Sequence, residues 1–582
     1  MKRSLALFLT LFAFALQADE TAKLHALFDR NWEERLRDDP TFATSVGRHE
    51  YDALLPSVTF ADLGRTNERN KATLAELKAI DRTKVSAADA VNYDMFRMRL
   101  ENAIADYELG DDQIPFTADS GFHTGFARLA QEMPFVTVKD YENYIARLNA
   151  WPRHVREQIA LMRRGIERGM TVPRATLTGY DQTMSAHVVS DFTKSVFWAP
   201  FEKFPSSIPE SEHERLRAAG RAAVTNGAIA GYRELLEFFQ KEYLPHARTT
   251  LGASELPNGR AYYALKIREF TTLDLTPEAI HKTGLAEVER ISAEMNAAMK
   301  SVGFTGDFAA FLQFLRTDPR FYAKTPEELL EKASRIAKRI DGKLPSLFKT
   351  LPRLPYTVEP VPAEIAPKYT SGRYVPPAEG STMPGIYWVN TYKLESRPLY
   401  NLTALTLHEA VPGHHLQGAL ARELGHVPEF RRFTYLSAFG EGWGLYCEWL
   451  GVEAGMYDDP YSNFGRLTYE MWRACRLVVD TGIHSMGWTR QQAIDYMASR
   501  TALPLHEVET EVDRYISWPG QALAYKLGEL KIKELRKRAE QAVGTRFDVR
   551  EFHDVVLGSG SVPLSVLEEN VDRWITASRA RG

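Results

Sequence analysis

Cysteine is scarce in this chain: Cys447 and Cys475 are the only two among 582 residues. A single pair cannot make the disulfide framework of a small secreted scaffold, so that class of protein is excluded. The two residues could form one bridge or could act as small buried apolar side chains. Neither has the spacing of a zinc knuckle, so any metal ion would have to be held by histidines and carboxylates.

An excess of charge of either sign is also absent. The chain has 72 Lys and Arg against 76 Asp and Glu, a net charge of −4, with no basic stripe or acidic tail. We therefore expect no nucleic-acid partner. Hydrophobic residues make up 44% and charged residues 25% of the sequence, as in ordinary soluble globular proteins. A chain of this length can bury a sizeable core without metal or disulfide cross-links.

Long apolar runs are missing except at the N-terminus. The apolar residues 5–16 follow Lys2 and Arg3, and Ala15 or Ala18 offers a small residue for cleavage, which is the pattern of a signal peptide. The run is too short to span a membrane comfortably, and no cysteine near the cleavage point could carry a lipid. We expect residues 1–18 to be removed, leaving a periplasmic or secreted protein without a stable membrane anchor. The alternative is a buried N-terminal helix.

Most of the remaining sequence has the pattern of helices. Thr325 is followed by Pro326 and then by Glu328, which predicts a helix with a threonine N-cap, a proline in its first turn and a capping box. Thr276-Pro277 opens another helix in the same way. Apolar residues then recur mostly at steps of three and four, which predicts one buried face: Ile280, Leu285, Val288, Ile291, Met295 and Met299. The predicted fold class is mainly α, a large multi-helix, two-lobed architecture.

A proline-rich segment at residues 351–379 interrupts the helices, because seven prolines cannot belong to a continuous helix. The β-branched and aromatic residues 385–390 follow it and predict a short strand, hence a small β-sheet beside the catalytic helix described next. We predict an N-terminal helical lobe at residues 19–350 and a C-terminal catalytic lobe at 351–582.

The sequence LHEAVPGHHLQ, residues 407–417, carries the strongest sign of chemistry. It begins like the zinc-peptidase pattern H-E-x-x-H, whose two histidines share one helix face and bind one ion. Here the histidines after His408 come late, at positions 414 and 415. At roughly 100° and 1.5 Å per residue, His414 would lie about 120° around the helix, and His415 would lie about 10 Å along it. An undistorted helix therefore cannot hold one ion between them.

Pro412 and Gly413 supply the means to distort the helix. Proline has no N–H to donate to the carbonyl of His408 and its ring clashes there, while glycine tolerates unusual backbone angles. If two residues loop out, His414 returns to the position that normally lies four residues on. The alternative is a helix that ends at Val411, followed by a Pro-Gly turn and surface histidines.

Catalytic zinc sites usually have three protein ligands and a water molecule, so a third ligand is needed. Glu441 and Glu448 lie seven residues apart in an apolar segment and would share a helix face. One could bind the metal while the other orients a ligand histidine. Glu409 would be the general base that takes a proton from water and passes it to the leaving amine.

Several residues further along could serve the substrate. A hydroxyl or imidazole donor could stabilise a carbonyl oxyanion, and an arginine or lysine could hold a substrate carboxylate. The candidate donors are Tyr515, Tyr525 and His484, and the candidate cations are Arg473, Arg476 and Lys526. Each of these, taken alone, is more often a packed core residue or a structural ion pair.

Four motifs occur in order: HEAVPGHHLQ, EGWGLYCEWLG, RLVVDTGIH and WPGQALAYKLGE. Together they resemble the bacterial family known as domain of unknown function 885, and the resemblance extends over nearly the whole mature chain. That family is generally regarded as mainly helical zinc peptidases. Its motifs are similar to those of thimet-type oligopeptidases and thermostable carboxypeptidases, in which a tyrosine also follows, here at Tyr525.

The resemblance implies a role for each matching residue. His408 and His414 would be metal ligands, and Glu409 would be the base. Glu441 would be the third ligand, with Glu448 beside it to orient a ligand histidine. The spacing from His408 to His414 is two residues longer than in the related enzymes, so the motif leaves open whether residue 414 or residue 415 binds the metal.

The leading functional hypothesis is therefore an exported zinc metallopeptidase acting on short or unfolded peptides. Two imidazoles and a carboxylate suit Zn²⁺, although cobalt or manganese would also fit. A second hypothesis is a zinc-dependent amidase or esterase acting on a non-peptide metabolite or a cell-wall fragment. A third is a non-catalytic helical binding protein, in which His415 would be a fourth ligand closing a structural zinc site or would support the ligands from behind.

Overall fold

The computed structural model describes residues 2–363, 366, 369–377, 382–425 and 427–580, with side chains from residue 20 onward. The side chains of the predicted signal peptide thus lie outside the described residues. Its backbone from Lys2 forms the beginning of the first helix. Within the described residues, no helix combines the length and apolar character needed to cross a bilayer.

The fold is mainly α with one small sheet, as the sequence predicts. The described chain divides into two compact units, the first formed by residues 1–262, 428–430 and 516–518 and the second by the rest. The predicted boundary at residue 350 falls inside the second unit. That unit includes the helices on both sides of the proline-rich segment and all the candidate site residues.

The first unit is helical, and its core is rich in aromatic residues. Phe126 and Trp151 stack at its centre, with ring centroids 3.9 Å apart and planes inclined by 3°. The helices are α1 (Lys2–Asp38), α2 (Pro40–Ser45), α3 (Phe60–Ala79), α4 (Ala87–Leu109), α5 (Phe122–Phe126), α6 (Leu129–Glu132), α7 (Val138–Arg168), α8 (Gln182–Ser185), α9 (Ala199–Glu202), α10 (Glu210–Ala223), α11 (Ala230–Phe238) and α12 (Leu244–His246).

The second unit contains the sheet and the remaining helices, apart from their residues in 259–262, 428–430 and 516–518, which belong to the first unit. The helices are α13 (Gly259–Thr271, its first residues in the first unit), α14 (Pro277–Ser301), α15 (Phe308–Thr317), α16 (Pro326–Asp341), α17 (Leu344–Leu347), α18 (Leu399–Glu409), α19 (His414–Arg422), α20 (Glu429–Arg432), α21 (Ser437–Glu453), α22 (Pro460–Met486), α23 (Arg490–Ala498), α24 (Leu505–Ser517), α25 (Ala524–Val543), α26 (Val549–Leu557) and α27 (Leu564–Ala580).

The predicted helix starts are confirmed. The Thr325 hydroxyl accepts the N–H of Glu328 at 3.2 Å at the start of α16. The carboxylate of Glu328 accepts the N–H of Lys324 at 2.7 Å, one residue earlier than a capping box requires. At α14 the Thr276 hydroxyl accepts the N–H of Ala279 at 3.2 Å. The threonines therefore satisfy N–H groups that a helix end leaves without partners.

The predicted apolar face of α14 is correct except at Leu285, which is 46% exposed. The buried position is its neighbour Gly284, where a Cβ atom would lie 2.7 Å from Leu477 and 2.8 Å from Val478 of α22. The two helices approach closely at this glycine, so the apolar stripe turns away from Leu285.

The sheet has the strand order β1-β3-β2. Its strands are β1 (Tyr356–Pro360), β2 (Gly372–Val375) and β3 (Gly385–Val389); β1 is parallel and β2 antiparallel to β3. The strand predicted at 385–390 is confirmed as β3, while β1 and β2 lie in the proline-rich segment, where no strand was predicted. The sheet packs beside α18, as the hydroxyl contact of 3.2 Å between Tyr387 and Thr406 illustrates.

Both cysteines are free and buried, and each has 0% exposure. Cys447 lies in α21 and Cys475 in α22. Of the two sequence interpretations, the small buried apolar residue is the correct one.

Candidate metal centre

The histidine-bearing segment is broken between two helices. The first helix, α18, ends at Glu409, and α19 begins at His414. The turn between them contains a cis peptide bond before Pro412, and the indole N–H of Trp443 in α21 donates to the Pro412 carbonyl at 2.8 Å. The structure therefore contains a full break, rather than two residues looped out of a continuous helix.

The turn needs glycine at position 413. A Cβ atom on Gly413 would lie 1.8 Å from the carbonyl oxygen of His408, far inside van der Waals contact. Any larger residue would push the two helix ends apart. The close approach of this backbone to His408 is what allows the next residue, His414, to turn back toward the first histidine.

Three predicted ligands come together at this break: His408, His414 and Glu441. The Glu441 Oε2 atom lies 3.4 Å from His408 Nε2 and 3.5 Å from His414 Nε2. All three donor atoms lie within 4.8 Å of one another. Ligand atoms about 2.1 Å from a tetrahedral zinc ion are roughly 3.4 Å apart, so both glutamate–histidine distances fit a zinc ion between the side chains.

Glu448, one of the carboxylates singled out in the sequence, orients His408. The His408 Nδ1–H donates to Glu448 Oε1 at 2.8 Å, which leaves Nε2 directed at Glu441. Arg473 Nη2 lies 3.4 Å from the same Glu448 oxygen. Glu448 is 1% exposed, and a buried carboxylate needs such partners. An imidazole held in this way by a carboxylate is the usual arrangement behind a metal-ligating histidine.

The charges of these groups are strongly coupled. Burial lowers the pKa of His408, but hydrogen bonds to Glu441 and Glu448 outweigh it and raise the pKa to about 10. Burial raises the pKa of Glu441, and the two histidines reverse this and bring it well below the usual value. Both shifts favour the charged forms of His408 and Glu441, so the site combines positive and negative charge in a buried space.

The glycines of α21 make room for the site. A Cβ atom on Gly444 would lie 2.6 Å from Cε1 and 2.7 Å from Nε2 of His408. On Gly442 a Cβ atom would lie 2.5 Å from the backbone of Gly528, where α21 and α25 cross. The two glycines in EGWGLYCE are thus explained by close contacts of α21: Gly444 lies against the His408 ring, and Gly442 lies against the backbone of α25.

Tyr435 contributes to the site and was missed from the sequence. Its hydroxyl donates to Glu441 Oε1 at 3.0 Å, while the other oxygen of Glu441 faces the histidines. The Tyr435 ring lies against Gly440, where a Cβ atom would come within 2.3 Å of it. Tyr435 is 56% exposed. The only sequence signal for this contact was the glycine immediately before Glu441.

Glu409, the predicted base, is held by the sheet. Its Oε2 accepts the backbone N–H of Tyr374 in β2 at 2.9 Å. This contact fixes one carboxylate oxygen, and Glu409 is close enough to His408 to affect its titration. The proline-rich segment thus supplies a backbone donor that orients the candidate base, which no motif had indicated.

His415 faces away from the other histidines. Its Nε2–H donates to the Leu354 carbonyl at 3.1 Å, and its ring lies between those of Tyr356 and Tyr374, at 4.8 and 5.3 Å. It is 1% exposed, and burial lowers its pKa to about 4. Neither a fourth-ligand position nor a place behind the ligands agrees with these contacts. Its role is to pack α19 against the sheet.

Two of the predicted substrate-binding groups are buried together. Arg476 Nε donates to the Tyr515 hydroxyl at 2.8 Å, and Arg476 Nη2 donates to Glu511 at 3.0 Å. Trp472 Nε1 donates to the same Tyr515 hydroxyl at 2.9 Å. The Arg476 guanidinium lies 4.3 Å from the ring centre of Tyr525. The charge of Arg476 is thus compensated by Glu511, and its guanidinium lies against the ring of the partly exposed Tyr525. These contacts do not favour the predicted role of Arg476 in binding substrate.

Lys526 and His484 also have structural partners. The Lys526 ammonium is fully buried and lies 2.9 Å from Glu470 and 2.5 Å from Glu529, so its charge is already compensated. His484 has 0% exposure, and its Nε2–H donates to the Tyr515 carbonyl at 2.9 Å. Glu529 lies only three residues from Lys526, whereas Glu470 and the Tyr515 carbonyl come from distant parts of the chain and could not be predicted from spacing.

Comparison with known proteins agrees with this architecture. Residues 40–571 match the family described as "Bacterial protein of unknown function (DUF885)". The chain belongs to this family. A candidate lipoprotein from Colwellia psychrerythraea has a similar structure, with a TM-score of 0.89, 30% identity and coverage of 96% of this chain and 100% of that one.

A second solved structure shares the fold. It is a candidate lipoprotein of unknown function from Shewanella oneidensis, with a TM-score of 0.73, 19% identity and coverage of 93% of this chain and 98% of that one. A comparison with curated proteins gives no significant match. The match over residues 40–571 establishes the family, and that family has no known function from which the chemistry of the site could be taken.

Proposed function

We propose that this DUF885 protein is an exported, zinc-dependent peptidase that hydrolyses short or unfolded peptides. The observation that carries the proposal is the convergence of His408, His414 and Glu441, with Glu448 behind the first histidine. Within the described residues the group has three donors, His415 being turned away. Three protein ligands and one open position are typical of catalytic zinc, whereas structural zinc usually has four.

Export is part of the proposal. The N-terminal sequence has the basic and apolar regions of a signal peptide. The similar chains from Colwellia and Shewanella are both described as candidate lipoproteins, a class of exported proteins. A periplasmic or secreted location would give the enzyme access to peptide fragments outside the cytoplasm.

In the proposed reaction the ion, when bound, supplies Lewis acidity and lowers the pKa of water at its open position. Glu409 takes a proton from the attacking water and returns it to the nitrogen of the leaving amine. The N–H of Tyr374 holds Oε2 of Glu409, so the carboxylate is oriented before substrate arrives. Tyr525, which the sequence motifs single out, is the candidate to donate to a carbonyl oxyanion, since the Tyr435 hydroxyl already donates to Glu441.

The decisive variant is Glu409→Gln, because it preserves shape and removes the base. We expect zinc binding to persist while hydrolysis of a peptide library falls by roughly 10²- to 10⁴-fold. The matched control is Glu423→Gln, which removes a carboxylate that pairs with Arg353 at 3.3 Å at the C-terminal end of α19; the activity of this variant should be unchanged.

Two results would reject parts of the proposal. Unchanged hydrolysis in Glu409→Gln would remove this residue from the mechanism. Zinc-dependent cleavage of esters or non-peptide amides, with no cleavage of any peptide in the library, would favour the amidase or esterase alternative.

A further inference from the structure

The first unit contains a cavity that has no part in the proposed hydrolysis. Its volume is about 740 Å³, which is within the usual range for small-molecule sites. One wall is apolar and includes Leu100, Phe126, Leu129 and Trp151, each of which is at most 6% exposed. A cavity of this volume with an apolar wall favours a ligand that has a hydrocarbon or aromatic body.

Arg99, which has no acidic partner among the described residues, lines the same cavity. It lies in α4 and is partly buried. Its Nη2–H donates to the amide oxygen of Asn31, and its guanidinium lies 5.0 Å from the ring centre of Phe96. Among the described residues its Nε–H has no hydrogen-bond partner. Burial and the neighbouring Arg35 lower the pKa of Arg99 to about 9, as expected for a buried cation without a carboxylate.

The carboxylates around the cavity are engaged elsewhere or are exposed. Glu34 and Asp38 form ion pairs with Arg69. Asp39 caps α2 by accepting the N–H of Phe42 at 3.0 Å. Glu132 is exposed. The partly buried Arg99 therefore remains available to pair with a negatively charged ligand.

We propose that this cavity binds a small amphipathic carboxylate, with its carboxylate group on Arg99 and its apolar body against Phe126 and Trp151. A carboxylate can accept N–H bonds from a guanidinium, and Arg99 lines the cavity. A partly buried charge without an opposite charge beside it is unfavourable, so the ligand would compensate that charge as well as fill the apolar space. This binding is independent of the metal centre.

Titration calorimetry on the whole exported chain tests the proposal with three probes. Decanoate has both the charge and the tail, decylammonium has the tail with the opposite charge, and acetate has the charge alone. We expect decanoate to bind at one site, at least tenfold more tightly than either of the others.

Two variants test the charge of Arg99 and the free volume of the cavity separately. Arg99→Gln should weaken decanoate binding roughly tenfold or more, whereas Arg97→Gln, an exposed arginine on the same helix, should change it less than about twofold. Gly125 lines the cavity and has open space where its Cβ would lie. Gly125→Phe should therefore fill the site and weaken binding by a similar factor without affecting Arg99.

Circular dichroism shows whether each variant is folded, and if Arg99→Gln does not fold, Gly125→Phe and the three probes decide. The proposal is overturned if the wild-type chain shows no saturable decanoate binding or binds decylammonium equally well. It is also overturned if a folded Arg99→Gln or Gly125→Phe variant binds decanoate as the wild type does.

Discussion

Replacing Glu448 by glutamine tests whether the carboxylate behind His408 tunes the metal site. The amide keeps the shape and the acceptor oxygen but removes the charge that lies 2.8 Å from His408 Nδ1 and 3.4 Å from Arg473. Loss of a carboxylate that orients a ligand histidine typically costs 10- to 100-fold in metal affinity. That range corresponds to about 1.4 to 2.7 kcal/mol.

The assay is zinc affinity measured by competition with a coloured chelator, with thermal unfolding as the check on folding. Glu453→Gln is the matched control, because this glutamate lies on the same helix but pairs with Arg536 at 2.8 Å; it should bind zinc as the wild type does. If a folded Glu448→Gln variant holds zinc with unchanged affinity, the coupling between Glu448 and His408 has no role in binding the metal.

Three further changes have defined outcomes. Gly444→Ala would place a methyl group 2.6 Å from the His408 ring and should lower zinc content sharply in elemental analysis; full zinc content would contradict this. Tyr435→Phe removes one hydrogen bond to Glu441 and should weaken zinc binding by about 0.5 to 1.5 kcal/mol, with an altered visible spectrum of the cobalt-substituted protein; an unchanged spectrum would exclude a positioning role. Burial lowers the pKa of His553 to about 3, so the folded chain keeps this imidazole neutral. Below about pH 6.5 the same residue takes up a proton in the unfolded chain, and the free energy of unfolding therefore decreases as the pH falls. The difference in Tm between wild type and His553→Gln should therefore narrow from pH 7.5 to 4.5 in calorimetry, and a constant difference would refute the assignment.

Local signals in the sequence predicted what is decided locally. The threonine caps of α14 and α16 and the strand β3 depend on neighbouring residues and were predicted correctly. Leu285 was misplaced because the buried stripe of α14 is set by the close approach of α22 at Gly284, which the periodicity of one helix cannot reveal. Of the bulge or break expected at Pro412 and Gly413, the structure contains a break, and the turn there is held by Trp443 from another helix.

In the candidate metal centre too, local motifs predict some residues, whereas contacts between distant elements decide others. The His408, His414 and Glu441 set could be proposed because the motifs are short and ordered. The roles expected of Arg476 and Lys526 depend on Glu511 and Glu470, which lie 35 and 56 residues away in the chain. Tyr435 reaches Glu441 through space left by a glycine. Pairings of this kind follow from tertiary packing, so spacing alone could not predict them.

Metal analysis of three purified proteins addresses the central claim most directly. If His408, His414 and Glu441 hold one ion, the wild type and His415→Ala should each contain close to one zinc per chain, and His414→Ala should contain little or none. Zinc retained by His414→Ala and lost from His415→Ala, or a wild-type chain that binds no zinc when it is supplied, would contradict the account.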